Sequence, residues 1–190
     1  MSNAVPTCET VQVVLFRGDR SGPFAARIKR ELDDQKNNKL GVKPSALDCL
    51  LLAGHTGVST DGETTIYGFN PDTTGILLWQ LMEGLKNGDS FPGIVTDDTA
   101  VFAAARTHGL AVVSFKVVLP DPRFQDFQSR LDAERKGSQY TYGYPNGYGD
   151  CNCTTWLERL GLPLFSGRMD EFSGLRGISI YPSRRFGKCV

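Results

Sequence analysis

Cys153 stands between Asn152 and Thr154-Thr155-Trp156-Leu157. Asn is a strong helix N-cap, so the spacing predicts a helix from Asn152 to Leu160, stopped by Gly161, with Cys153 in its first turn. The unpaired amides and positive dipole end of such a turn favour a thiolate over a thiol. A backbone amide there is also a natural oxyanion donor. The chemistry this implies is nucleophilic attack on a carbonyl. A small buried thiol beside a cap fits the same pattern.

A thiol nucleophile needs a base, and the chain holds only two histidines, His55 and His108. His55 lies between Gly54 and Thr56-Gly57-Val58, neighbours small enough to leave its imidazole facing a cleft. His108 has a simpler explanation. It sits in the last turn of an expected helix before Gly109, where a cation suits the dipole. Cys151 and Cys153 could be read as metal ligands, but a structural zinc site needs two further ligands, and Cys8, Cys49 and Cys189 stand singly. No metal or other cofactor is expected. A Cys151–Cys153 disulfide would close a very tight ring, although Cys151 could serve as a redox partner. Four of the six tyrosines crowd the segment before the nucleophile, Tyr140, Tyr142, Tyr144 and Tyr148. They read either as a packed surface loop or as a cleft wall offering ring faces and hydroxyls.

The elements that must position these groups follow from local patterning. A β-branched apolar run over residues 11–16 reads as a buried strand. Ser21-Gly22-Pro23 opens a helix with Phe24, Ile28 and Leu32 on one face, and the polar stretch 33–39 reads as a loop. The apolar run 47–53 is a strand candidate, continued by or followed by the His55 segment. Asp61-Gly62 is a hairpin signal, with a returning strand over 64–69. A helix is expected over 76–85, a loop at Asn87-Gly88 and Pro92-Gly93, and a helix over 99–107 capped by Thr96 or Asp97. A strand over 110–119, a helix after Pro122 and a short strand over 178–181 complete the pattern.

Composition sets the limits. The chain has 190 residues and 20.8 kDa, the size of one domain, taken as 1–190. Lys+Arg and Asp+Glu both number 21, which argues against a nucleic-acid binder, since phosphate contacts need a basic excess. No apolar run reaches the ~20 residues of a membrane span. The first residues lack the pattern of a secretory signal. Five cysteines are too few for a disulfide scaffold, and free thiols in a reducing compartment are the simplest reading. A cytoplasmic protein, or an effector secreted without an ordinary signal, is expected.

The two motifs together resemble the circularly permuted papain-like proteins, a group that includes the PPPDE isopeptidases, the lecithin:retinol acyltransferase-like proteins and the permuted NlpC-type amidases. Gly54-His55-Thr56-Gly57-Val58, Asp61-Gly62 and Thr65-Ile66-Tyr67-Gly68 look like their histidine hairpin. Asn152-Cys153-Thr154-Thr155-Trp156, then Leu160-Gly161-Leu162-Pro163, look like their nucleophile helix. Residues 1–45 and 75–108 carry no part of the likeness. The resemblance implies an α+β fold in which a small antiparallel sheet packs against the helix carrying the nucleophile. It implies Cys153 as nucleophile and His55 as base. A third polar residue after the histidine is implied as well, with Asn70 a better acceptor than Thr65; a simple dyad is the alternative. Substrate contacts are expected from Tyr144, Tyr148, Asn152 and Trp156. The implied activity is a cysteine peptidase, isopeptidase or amidase working through a thioester. The expected partner is a protein or peptide substrate, a ubiquitin-like conjugate or a cell-wall peptide, and a monomer is expected. The alternatives are a lipid acyltransferase or thioesterase, and a non-enzymatic binding domain on the same fold.

Overall fold

Alternation of side chains along β1 (Cys8–Arg17) divides the core in two. Val11 and Val13 point to one face, and Val14 and Phe16 to the other, all of them buried. The computed structural model describes residues 7–143 and 150–162, and β1 is the second strand from one edge of their sheet. The other strands are β2 (Gly54–Ser59), β3 (Tyr67–Pro71), β4 (Phe91–Asp97), β5 (Val112–Pro120), β6 (Thr141–Tyr142) and β7 (Asp150–Cys151). Their spatial order is β5-β1-β2-β3-β4-β6-β7. Neighbours are antiparallel from β5 to β6, and β7 adds in parallel. The fold is therefore α+β, with a sheet of six antiparallel strands rather than the small one expected.

Among the described residues six helices accompany the sheet: α1 (Pro23–Lys36), α2 (Ala46–Ala53), α3 (Leu78–Asn87), α4 (Thr99–Thr107), α5 (Asp121–Lys136) and α6 (Thr155–Arg159). On the face of Val11, Val13, Val58 and Phe69 lie Phe127 and Leu131 of α5 and Trp156 and Leu157 of α6. On the face of Val14, Phe16 and Ile66 lie Leu51 of α2 and Phe102 and Ala105 of α4. Fully burying one such side chain stabilises by about 1.5–3 kcal/mol, so this double coverage anchors β1 and β2.

Three expectations are corrected by local chemistry. The run 47–53 is helix α2, not a strand. A short apolar run has the same look in either element, and Ser45 decides it. Its hydroxyl accepts from the Asp48 N–H at 3.1 Å while the Asp48 carboxylate accepts from the Ser45 N–H at 2.9 Å, a capping box. Pro92-Gly93 lies inside β4 rather than in a loop. A Cβ at Gly93 would come within 2.1 Å of Phe69 Cζ, so the missing side chain makes room for that ring. The stretch 33–39 is helical as far as Lys36, and the Asn37 amide closes the end on the Asp33 carbonyl at 2.7 Å. Cys8 is disulfide-bonded, which corrects the expectation of free thiols at that position. The strand expected over 178–181 falls outside the described residues. No helix among the described residues is long and apolar enough to cross a membrane.

Candidate active site

His55 is the second residue of β2 and is 2 % exposed. Its ring sits between Phe16 of β1, 6.5 Å centroid to centroid, and Phe102 of α4, at 5.7 Å. Nε2 lies 2.7 Å from Asp98 Oδ2. That bond occupies one ring nitrogen, and the other polar group that acts on the ring is Cys153. Nδ1 is buried and has no hydrogen-bond partner among the described residues.

Asp98 is 4 % exposed and occupies the N-cap position of α4. Its carboxylate does not cap the helix. The neighbouring Asp97 does so, accepting from the Thr99 N–H at 3.0 Å and the Thr99 hydroxyl at 2.6 Å. Asp98 is thereby released to turn inward. Its own N–H donates to the Ile66 carbonyl at 2.7 Å, which ties it to the chain entering β3.

Gly68 of β3 lies directly beneath this pair. A Cβ there would come 1.9 Å from Asp98 Oδ2 and 2.4 Å from His55 Nε2, both impossible contacts. Only a bare backbone lets the carboxylate and the imidazole meet at this point.

Cys153 is half-buried and stands just before α6. Asn152 shapes its turn. The Asn152 carbonyl accepts the Trp156 N–H at 2.9 Å, the first bond of the helix. Asn152 Oδ1 accepts the amides of Thr154 at 3.0 Å and Thr155 at 2.9 Å. Asn152 therefore caps the turn that leads into α6, as an N-cap side chain would. Its side chain satisfies the two amides that follow Cys153 and not the amide of Cys153 itself. The Thr154 hydroxyl pairs with the Thr56 hydroxyl at 3.0 Å and locks the turn to β2, one residue from His55. At the far end, Gly161 and Leu162 donate to the Glu158 and Leu157 carbonyls at 2.9 and 3.0 Å and close the helix.

The electrostatics follow from these contacts. Burial alone would push the Cys153 thiol up. The His55 hydrogen bond and charge outweigh it, helped by the Thr56 backbone amide and the Thr154 hydroxyl, and the thiol lies below its ordinary value. Burial alone would lower His55. The Asp98 hydrogen bond, then the hydrogen bond and charge of Cys153, raise it to about 9. Each partner favours the ionised form of the other, so a thiolate–imidazolium pair is the favoured state.

The structure brings Cys153, His55 and Asn152 together, and adds Asp98, which the sequence pattern left unassigned. Asn70 does not touch His55 through a hydrogen bond. It donates to Asp98 Oδ2 at 2.8 Å, one step further from the sulfur. Thr65 is in the loop before β3, where its amide donates to Asp61 Oδ1 at 2.9 Å. Trp156 is 0 % exposed and stacks on Phe69 at 5.7 Å, so it is a core residue with no face for a substrate, and its assignment as a substrate contact is withdrawn. Tyr144 and Tyr148 lie outside the described residues. His108 pairs with Asp19 at 3.3 Å and packs on Phe24, away from the sulfur. Among the described residues no group of three or more His, Cys, Asp or Glu is arranged to hold a metal ion. The signal for Asp98 was the doubled aspartate before Thr99, where a helix cap uses only one.

No family model, curated protein or solved structure matches the chain.

Proposed function

We propose that this protein is a cysteine hydrolase in which Cys153 is the nucleophile, His55 the general base and acid, and Asp98 the residue that orients and stabilises the imidazolium. One observation carries the reading: a buried imidazole held by a carboxylate at one nitrogen, its other nitrogen unbonded among the described residues, and interacting with a half-buried thiol in the capped turn before α6. Structural cysteines are inert because burial keeps them protonated; here burial is outweighed by a cationic neighbour and hydrogen-bond donors.

In the proposed reaction the Cys153 thiolate attacks the carbonyl carbon of an amide or ester, and the new C–S bond pushes an electron pair onto the carbonyl oxygen. The amide of Cys153, which Asn152 does not occupy, is placed to donate to that oxyanion. His55 Nδ1–H then protonates the leaving nitrogen or oxygen as its bond to carbon breaks, giving a thioester. Neutral His55 next removes a proton from water, which attacks the thioester. The acid product leaves, and the proton remaining on Nδ1 restores the ion pair. Throughout, Nε2–H stays on Asp98, which keeps the imidazole in one orientation.

The chain order, histidine strand first and nucleophile helix later, supports a permuted papain-like arrangement. Protein or peptide amides, including isopeptide bonds, are the proposed substrates. The test is labelling with ubiquitin-like, peptidoglycan-fragment and acyl-ester electrophiles, followed by mass mapping. An adduct on Cys153 that disappears in His55→Ala supports the reading, and the electrophile that reacts identifies the substrate class. Adducts confined to other cysteines would remove Cys153 as the nucleophile.

A further inference from the structure

Resting on the Cys153–His55–Asp98 reading, we infer that Asn70 and Thr96 form a closed hydrogen-bond clamp on the Asp98 carboxylate and act as positioning residues for the imidazole of His55. Strand register places them. Gly68 pairs with Thr96 across β3 and β4, and Asn70 lies two residues beyond Gly68, on the same face. The clamp closes around the carboxylate on both oxygens. Asn70 Nδ2 donates to Asp98 Oδ2 at 2.8 Å and to Thr96 Oγ1 at 2.8 Å. The Thr96 hydroxyl, having accepted from Asn70, donates its one proton to Asp98 Oδ1 at 2.6 Å. Oδ2 also receives His55 Nε2.

Every proton in this cycle has one destination, so its direction is fixed. Turning the Asn70 amide over would set its oxygen against a carboxylate oxygen and break two bonds. The same geometry leaves Asn70 Oδ1 buried without a hydrogen-bond partner among the described residues, on a residue only 8 % exposed. An unpaired buried carbonyl oxygen lowers stability. A side chain kept only to hold the fold together would not carry that defect, and its amide group is the part the site uses. The other neighbours of His55 cannot replace the clamp. Cys153 and Asp98 are the titratable groups facing the ring, and Phe16 and Phe102 supply apolar walls.

With the clamp gone the carboxylate is free to rotate away from Nε2, and the imidazolium loses its partner. The test follows the ring protons of His55 by NMR across pH in the full chain. Wild type is compared with Thr96→Val, Asn70→Ala, Thr96→Ser and Asp98→Asn, alongside melting temperature and the rate of Cys153 alkylation by iodoacetamide. Thr96→Val and Asn70→Ala are expected to lower the His55 titration midpoint by about 1 unit and slow alkylation below neutral pH by roughly tenfold. Thr96→Ser is expected to restore both. Asn70→Ala is expected to keep the wild-type melting temperature within a few degrees. If both clamp variants lower the melting temperature yet leave the His55 midpoint in place, their role is structural and the inference is overturned. If the midpoint moves in Asp98→Asn alone, the clamp is dispensable and the Cys153–His55–Asp98 reading stands. An Asp98→Asn variant that titrates and alkylates like wild type would remove that reading itself.

Discussion

His55 Nε2 and Asp98 Oδ2 meet at 2.7 Å in the interior of the protein, over the bare backbone of Gly68. The two side chains arrive from separate places, the start of β2 and the junction of β4 with α4. What aligns them is the antiparallel register of β2, β3 and β4.

A buried imidazole facing a carboxylate and a thiolate holds its proton well past neutrality. His55 is expected to titrate at about 9, against an ordinary 6.5, because Asp98 and Cys153 both stabilise the cation. Removing either partner lowers the midpoint. Asp98→Asn is expected to lower it by about 1–3 units. Cys153→Ala is expected to lower it as well, since the thiolate charge acts in the same direction. NMR titration of the two histidine rings measures this, with His108 as the internal comparison. A His55 that titrates near 6.5 in the wild type would mean that its partners do not act on it.

Gly68 admits no side chain. Gly68→Ala would push Asp98 and His55 apart, and overpacking of this kind costs about 1–3 kcal/mol. Urea denaturation is expected to show that loss, and Cys153 is expected to lose most of its enhanced reactivity. A Gly68→Ala protein with unchanged stability and alkylation would show that the imidazole and the carboxylate need no such contact.

Asn152 and Ser45 both cap helices, but only one shapes the site. Asn152→Ala removes the acceptor of two amides and is expected to cost about 1 kcal/mol and to slow Cys153 alkylation. Ser45→Ala opens the capping box of α2 and is expected to cost about 1 kcal/mol with alkylation unchanged. Equal effects of the two variants on alkylation would show that the loss follows stability and not the Cys153 turn.

Residue type and local spacing made half of this site legible. Cys153 was readable because Asn152 caps within three residues, and His55 because glycines flank it. The third member was not. Asp98 reaches His55 only through the pairing of three strands, and a sequence window over 96–99 shows a helix cap and nothing more. Asn70 was named as the residue that would hold the imidazole, whereas its amide bonds to Asp98 and not to His55. The helix over 47–53 was missed because a short, mostly apolar run shows no clear period. Trp156 shows the same effect from the other side, since proximity in sequence to a nucleophile says nothing about which way a ring turns.

The central claim is that Cys153 and His55 form a thiolate–imidazolium pair, and the pH dependence of Cys153 alkylation tests it most directly. Rates of iodoacetamide modification, mapped by mass to each cysteine, should be measured from acid to alkaline pH in wild type and in His55→Ala. Cys153 is expected to react at pH values where a free thiol, with its pKa of ~8.5, is still protonated, and to lose that advantage when His55 is replaced. Cys49, whose thiol burial pushes up to about 11, is expected to stay unreactive throughout. A Cys153 that alkylates along the curve of an ordinary thiol, at the same rate with and without His55, would contradict the ion pair and the catalytic role built on it.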